Sequence, residues 1–274
     1  MENRLKIVEE TKNYWRVIID NPPINNFDPY MFAELNVLMN KMEKNSDLRI
    51  VVFESANEDF FMNHHDVEHR QIIPEQEGAA PFFYEWANWV ERLVNLHVLS
   101  IAKVRGRARA QGFEFALACD IIFASKEKAK FALIEVGGGS IPGGGGIEWL
   151  CNLCGRARTL EIVLSADDYD ADTGELYGFV NRSIPDEKLD EFVDKFARRL
   201  SKFPKQAFDL GKEMVNSRSK LPSKSDFYMS NFILNSVDSA NNDIEGYKLM
   251  KEKGLGSHSD FELNLAERIA ELNG

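Results

Sequence analysis

The 274-residue sequence predicts an α/β fold, and three observations carry that prediction. Residues 49–54 (Arg49-Ile50-Val51-Val52-Phe53-Glu54) form a short, nearly continuous apolar run, as in a strand whose sheet is covered on both faces. Residues 98–104 repeat the type. Helical periodicity before each run, at 29–45 and at 82–96, completes a strand–helix–strand alternation of the kind that builds parallel sheets.

Taken in order, residues 5–9 and 15–20 read as two strands joined by a turn at Lys12-Asn13. Asn21-Pro22-Pro23 ends that pattern. Asp28-Pro29 then supplies an N-cap and a proline at the first helical position. Phe32, Leu35, Leu38, Met39 and Met42 follow at helical spacing. Residues 74–81, rich in Pro, Gly and Glu, read as a mobile loop. After the strand at 98–104 come a turn, an apolar helix at 113–119, and strands at 120–125 and 131–134. Residues 147–165 look helical, and 177–182 read as a short extended piece. From Asp186 onward the chain is mostly helical; Leu189, Phe192, Val193, Phe196 and Leu200 make one stripe. These last helices carry apolar stripes with little sheet left to cover, so they pack either on a neighbouring subunit or on their own core.

Composition narrows the function classes. An apolar content of 44% with 19 Phe supports one large packed domain with an appendage at most. A net charge of −11 argues against general binding to nucleic acid or anionic membranes. No apolar stretch has the length of a membrane span, and Met1 to Lys6 lack the apolar core of a secretory signal. Cys119, Cys151 and Cys154 are few and odd in number, as in a reducing cytosol, so a cytoplasmic protein is expected. Cys151 and Cys154 have CxxC spacing but no second pair, and packed thiols are the plain reading beside a metal or redox site.

Two acids stand out. Glu114 is the lone charge in the apolar helix at 113–119, and such a charge is costly unless it is paired or titrates. Glu135 ends an apolar strand and faces the Gly137–Gly146 glycine-rich loop. Two acids at junctions of apolar elements and Gly-rich turns suit acid/base catalysis on a shared substrate. The loop is not a nucleotide P-loop, because no Gly-Lys-Ser/Thr follows it; its glycines read as bringing backbone close to a ligand.

Several stretches in order carry a family resemblance: Val104-Arg105-Gly106 through Gly112-Phe113-Glu114, Cys119-Asp120-Ile121-Ile122, Phe131 through Glu135, and Ile141-Pro142 with Gly143 to Gly146. Asn21-Pro22-Pro23, Phe61 to Asp66 and Ala171 to Val180 add to it. Together they resemble the enoyl-CoA hydratase/isomerase (crotonase) superfamily over roughly residues 5–205. The resemblance implies a spiral of ββα units over residues 1–205, a helical trimerisation region over 206–274, and a homotrimer or a dimer of trimers. It implies no metal and no cofactor beyond the coenzyme A of an acyl-CoA substrate. It implies a thioester oxygen held by the backbone N–H groups of His65 and Gln111, with Glu114 and Glu135 flanking a water. Asn63, His64, Asp66, Gly112, Gly138 and Gly139 would then line the substrate site.

The chain departs from the family pattern at both oxyanion turns. His64 stands where the family has Gly, and Ala110-Gln111-Gly112 replaces a run of three glycines. The backbone there must stay within non-Gly limits or carry strain, and the acyl pocket must be reshaped. Two other readings keep the fold: a CoA-independent hydrolase of carbon–carbon bonds in β-diketones, and a non-catalytic trimeric scaffold. His64, His65, Asp66 and His69 invite a metal, an extra acid or base, or a solvated loop. Arg105, Arg107 and Arg109 would hold a phosphate or carboxylate, or else make salt bridges within or between subunits.

Overall fold

The computed structural model describes residues 3–66, 82–241 and 244–273. The expected loop at 74–81 and His69 lie outside these residues. Two strands, β1 (Leu5–Thr11) and β2 (Tyr14–Ile19), lead into helix α1 (Pro29–Lys44). Asp28 caps α1, its Oδ1 accepting Met31 N–H at 2.7 Å, a device worth about 1 kcal/mol.

Three ββα units follow. They are β3 (Ile50–Ser55), β4 (Phe60–Met62) and α2 (Phe82–Asn95); β5 (Leu99–Val104), β6 (Arg107–Arg109) and α3 (Gln111–Ala118); and β7 (Ile121–Ser125), β8 (Lys130–Ala132) and α4 (Gly146–Ser165). Gly155, at φ 75°, divides α4 into two helical pieces. Then come β9 (Tyr169–Asp170), α5 (Ala171–Tyr177), β10 (Arg182–Ile184) and α6 (Asp186–Leu200). The chain ends in α7 (Lys205–Asn216), α8 (Lys224–Asn241), α9 (Ile244–Lys253), α10 (Asp260–Leu263) and α11 (Leu265–Asn273).

Each unit gives its first strand to one sheet and its second to another. The large sheet has the order β1-β2-β3-β5-β7-β10, parallel except for β1 against β2; the small one has the order β4-β6-β8-β9. The small sheet explains a difference from the sequence reading. Residues 60–62 and 107–109 look like turns, because a three-residue strand shows no periodicity.

Both faces of the large sheet are covered, and its side chains alternate accordingly. Val17, Val51, Phe53, Ala102 and Ile122 enter the main core with α1, α2 and α3. Tyr14, Ile50, Val52, Ile101 and Phe123 enter a second core under α6 with Leu189, Val193 and Ala197. A third core decides where the last helices sit. Phe261, Leu265 and Ile269 of α10 and α11 pack on Ala110, Ala132 and Ile134 of the same chain. Each such side chain contributes about 1.5–3 kcal/mol on burial.

Candidate active site

The turn after β4 is pinned on one side. Asn63 N–H donates to Asn25 O at 3.0 Å, Phe27 N–H to His64 O at 3.0 Å, and Asp66 N–H to Phe27 O at 2.9 Å. In this parallel bridge residues 64 and 66 bond towards Phe27, so the peptide N–H of His65 points to the other side. Asn25 anchors the supporting loop: it is buried, at φ 54°, and its Nδ2 donates to Ser55 Oγ at 2.8 Å and to Phe60 O at 3.1 Å.

Helix α3 starts against the same turn. Gly112 N–H donates to Asn63 O at 3.1 Å, and a Cβ on Gly112 would overlap Met62 O, so only glycine allows this approach. Gln111 N–H, the first of the helix, donates to no described acceptor. The Nε2 of Gln111 is also buried without a partner among the described residues. The lost glycines are absorbed without positive φ at His64 or Gln111; the strain falls on Ala110, at φ 48° and ψ −119°.

Glu114 lies one turn into α3, 3% exposed. Its Oε1 accepts Gly144 N–H at 2.8 Å and Gly146 N–H at 3.0 Å. Burial pushes its carboxyl up to about 7; the two backbone donors pull it down, and the charge of Glu148 adds to the rise. A Cβ on Gly144 would overlap Glu114 Oε2, so the 143–146 half of the Gly-rich loop brings backbone to this acid. Trp86 Nε1 holds Gly144 O at 2.7 Å, and Trp86 stacks on Trp89 at 5.3 Å.

Glu135 is half-buried, with Oε2 sealed from solvent and unpartnered among the described residues. Burial, followed by the charge of Glu114, pushes its carboxyl well above the usual range. The structure therefore brings the two predicted acids within electrostatic reach of each other. Glu148, in the first turn of α4, is a third acid that the sequence reading missed; it takes the hydroxyl of Ser230 from α8.

Not every expected residue faces the same space. The Asn63 side chain is wholly buried and donates to Glu262 Oε1 at 2.8 Å. Gly138 and Gly139 form an exposed turn in which Gly138 N–H and Ser140 N–H close on the Glu135 carbonyl at 3.0 Å and 2.8 Å. His64 and Asp66 line a cavity of ≈ 500 Å³, with Asn26, Tyr30, Tyr247 and Lys251 around it, a volume in the range of small-molecule sites.

The three arginines resolve as internal clamps. Arg105 Nε pairs with Asp186 at 2.6 Å. Arg107 Nε donates to Leu263 O at 2.7 Å. Arg109, fully buried, forks onto Asp168 at 2.9 and 2.5 Å and donates to Glu262 O at 2.5 Å. Among the described residues no group of three His, Cys, Asp or Glu could hold a metal. Of the cysteines only Cys119 is a packed thiol; Cys154 is partly buried and Cys151 is exposed.

Comparison with known proteins fits this geometry. The family model described as enoyl-CoA hydratase/isomerase matches residues 9–260. The chain belongs to the enoyl-CoA hydratase/isomerase family. A mitochondrial enoyl-CoA hydratase of Pongo abelii is 28% identical over 231 residues, 84% of this chain and 78% of that protein. A 1,2-epoxyphenylacetyl-CoA isomerase of Escherichia coli is 29% identical over 71% of this chain and 74% of its own. A crystal structure of a candidate enoyl-CoA hydratase from Streptomyces avermitilis superposes with a TM-score of 0.91 at 33% identity, covering 99% of this chain and 98% of the other. The ββα spiral and its helical end are thus the fold of this enzyme family. Among the described residues no helix is long and apolar enough to cross a membrane.

Proposed function

We propose that this family member acts on an acyl-CoA thioester, adding water to an α,β double bond or removing it. The observation that carries the reading is a pair of buried acids: burial pushes Glu114 up to about 7 and Glu135 well above the usual carboxylate range, and the charge of Glu114 adds to the rise at Glu135. The two carboxyls stand in unlike surroundings, one with two backbone donors and one with a sealed oxygen unpartnered among the described residues, which suits a base and an acid. Glu114, with two N–H donors on Oε1 that favour its charged form, is assigned as the base; Glu135, whose charged form burial and the Glu114 charge both disfavour, is assigned as the acid.

Glu114 removes a proton from water as its oxygen bonds to the β carbon. The electron pair moves onto the thioester oxygen, which the His65 and Gln111 N–H groups receive at roughly 3–4 kcal/mol each. Glu135 then delivers its proton to the α carbon, and the enolate closes to a hydroxyacyl thioester. Solvent returns the proton from Glu114 to Glu135. The coenzyme A enters as part of the substrate, in keeping with the names of the relatives.

A β-diketone hydrolase has less support. Its extra acid/base would be sought in the polar first turn, yet His64 is engaged with Glu262 and with His65 O. A decayed scaffold would retain two buried acids at a cost with no use for them. Assembly as a trimer or dimer of trimers would cover the outer face of α8, where Met229 is 60% and Phe232 69% exposed; sedimentation of the purified chain reads this directly.

The test is kinetic. With crotonyl-CoA and longer or branched enoyl-CoAs, Glu114→Gln and Glu135→Gln should each lower kcat by about 10²–10⁴. If neither substitution alters turnover of any accepted thioester, the reading fails.

A further inference from the structure

Glu262 is a buried carboxylate that the acid–base scheme does not use. It is 0% exposed and sits on α10, yet its side chain reaches the turn after β4. Oε1 accepts Asn63 Nδ2–H at 2.8 Å, and Oε2 accepts Gly256 N–H at 2.7 Å. His64 Nε2 lies 3.4 Å from Oε1 and 3.5 Å from Oε2. The other ring nitrogen of His64 lies 3.1 Å from His65 O. A carbonyl and a carboxylate both accept, so an imidazole between them is best served with a proton on each nitrogen.

The charges around this pair agree. Burial pushes the His64 imidazole down, but the bond to Glu262 and its charge outweigh that and raise it; Arg109 from β6 opposes the rise. Burial pushes Glu262 up, and His64, Asn63 and Gly256 together hold it below the usual carboxylate range. Arg109 is itself neutralised by Asp168, and Arg4, Asp28, Asp66 and Lys251 face the adjoining cavity.

We propose that Glu262 is a positioning residue of the oxyanion turn: it grips Asn63 and His64 so that the intervening backbone keeps His65 N–H aimed at the thioester oxygen. The C-terminal helical region is thereby a working part of the active site. A small residue at position 64 would need no such partner, whereas an imidazole needs a fixed seat to stay out of the cavity that it lines. This inference rests on the thioester reading above.

The experiment compares wild type with Glu262→Gln, Glu262→Asp, His64→Asn and the double variant His64→Asn/Glu262→Gln. Turnover of crotonyl-CoA is one readout. The infrared carbonyl stretch of bound butyryl-CoA, which is saturated and cannot be hydrated, is the other. E262Q should lower kcat about tenfold to a hundredfold with KM changed little, and move the bound carbonyl stretch back towards its value in water. E262D should recover part of both. The double variant should be no slower than E262Q alone, because both changes cut one linkage. An E262Q protein with wild-type kcat and carbonyl stretch, or losses that simply multiply, overturns the proposal. Should E262Q fail to fold, H64N decides alone: an unshifted carbonyl stretch overturns it. A wild-type chain that neither binds nor turns over any acyl-CoA fells the thioester reading and this proposal together. Unchanged variants beside an active wild type fell only this proposal.

Discussion

Gly144 donates its N–H to Glu114 Oε1 at 2.8 Å, and its Cα lies so close that a Cβ would overlap Glu114 Oε2. The acid is held by a loop that must lack a side chain there. Trp86 closes the arrangement from the far side through Gly144 O.

Gly144→Ala should therefore act on chemistry before it acts on folding. The methyl group meets a carboxylate oxygen and the Trp86 Nε1 edge. Displacing Glu114, the base proposed above, by a fraction of an ångström to an ångström should cost about a hundredfold in kcat, and the overpacking about 1–3 kcal/mol of stability. Kinetics with circular dichroism melting reads both. An alanine variant with native kcat would show that Glu114 is not seated by this loop.

Glu114→Gln should be slower by the factor given above yet more stable than wild type in mild alkali. Its folded carboxyl is raised from 4.5 to about 7. A raised carboxyl favours the protonated folded state, so its stabilising effect is whole below about pH 4.5 and is lost as pH rises through about 7. The difference amounts to about 3 kcal/mol at most. Gln removes the titration while its oxygen can still accept from Gly144 and Gly146. Melting curves at pH 5 and pH 8 should converge at the lower pH and separate at the higher, with the variant above. The same titration predicts that wild-type kcat rises as pH passes through about 7.

Ala110→Gly should stabilise the fold. Ala110 carries φ 48° and ψ −119° immediately before α3, in a region that glycine enters without penalty. Relief of about 1–3 kcal/mol of strain outweighs the roughly 0.5–1 kcal/mol of extra unfolded-state entropy that glycine brings. A gain of about 1 kcal/mol in urea unfolding is expected, with kcat kept or raised because Gln111 N–H follows directly. A loss of stability would contradict the strained geometry.

How much was legible in the sequence depends on what each residue's neighbours reveal. The strands at 50–55 and 99–104 announce themselves because both sheet faces are covered. Glu114 announces itself because an acid in an apolar helix has no bland companions. The strands at 60–62 and 107–109 stay hidden, being too short for a period and written in turn-like residues. Glu262 is hidden by a decoy. Ser259 and Glu262 have capping-box spacing, and Ser259 Oγ does accept Glu262 N–H at 3.2 Å. The carboxylate, however, turns away to Asn63 and His64, partners 199 and 198 residues distant that no local pattern could pair. The alternating arginines were visible, but their targets are the carbonyls of α10 and the carboxylates of Asp168 and Asp186, which only the closed fold assembles.

Arg109→Met should loosen the C-terminal helices and slow the enzyme through them. Arg109 is fully buried, forks onto Asp168, and donates to the carbonyls of Glu262 at 2.5 Å and Leu263 at 3.1 Å. A cation at the end of α10 satisfies carbonyls that the helix cannot. Methionine fills most of the volume but takes the donors from Asp168 and from the Glu262 carbonyl, a cost of about 3–5 kcal/mol, while Leu263 O keeps its bond from Arg107. Arg109→Lys should fall between, since an ammonium cannot reproduce the fork. Limited proteolysis should then cut first near 254–259, releasing Phe261, Leu265 and Ile269 from their core on Ala110 and Ala132. Turnover should fall with the loss of the C-terminal segment, because the same helix delivers Glu262 to the turn at 63–66. If cleavage sites, melting temperature and kcat all stay at wild-type values, Arg109 does not hold the C-terminal helices against the site.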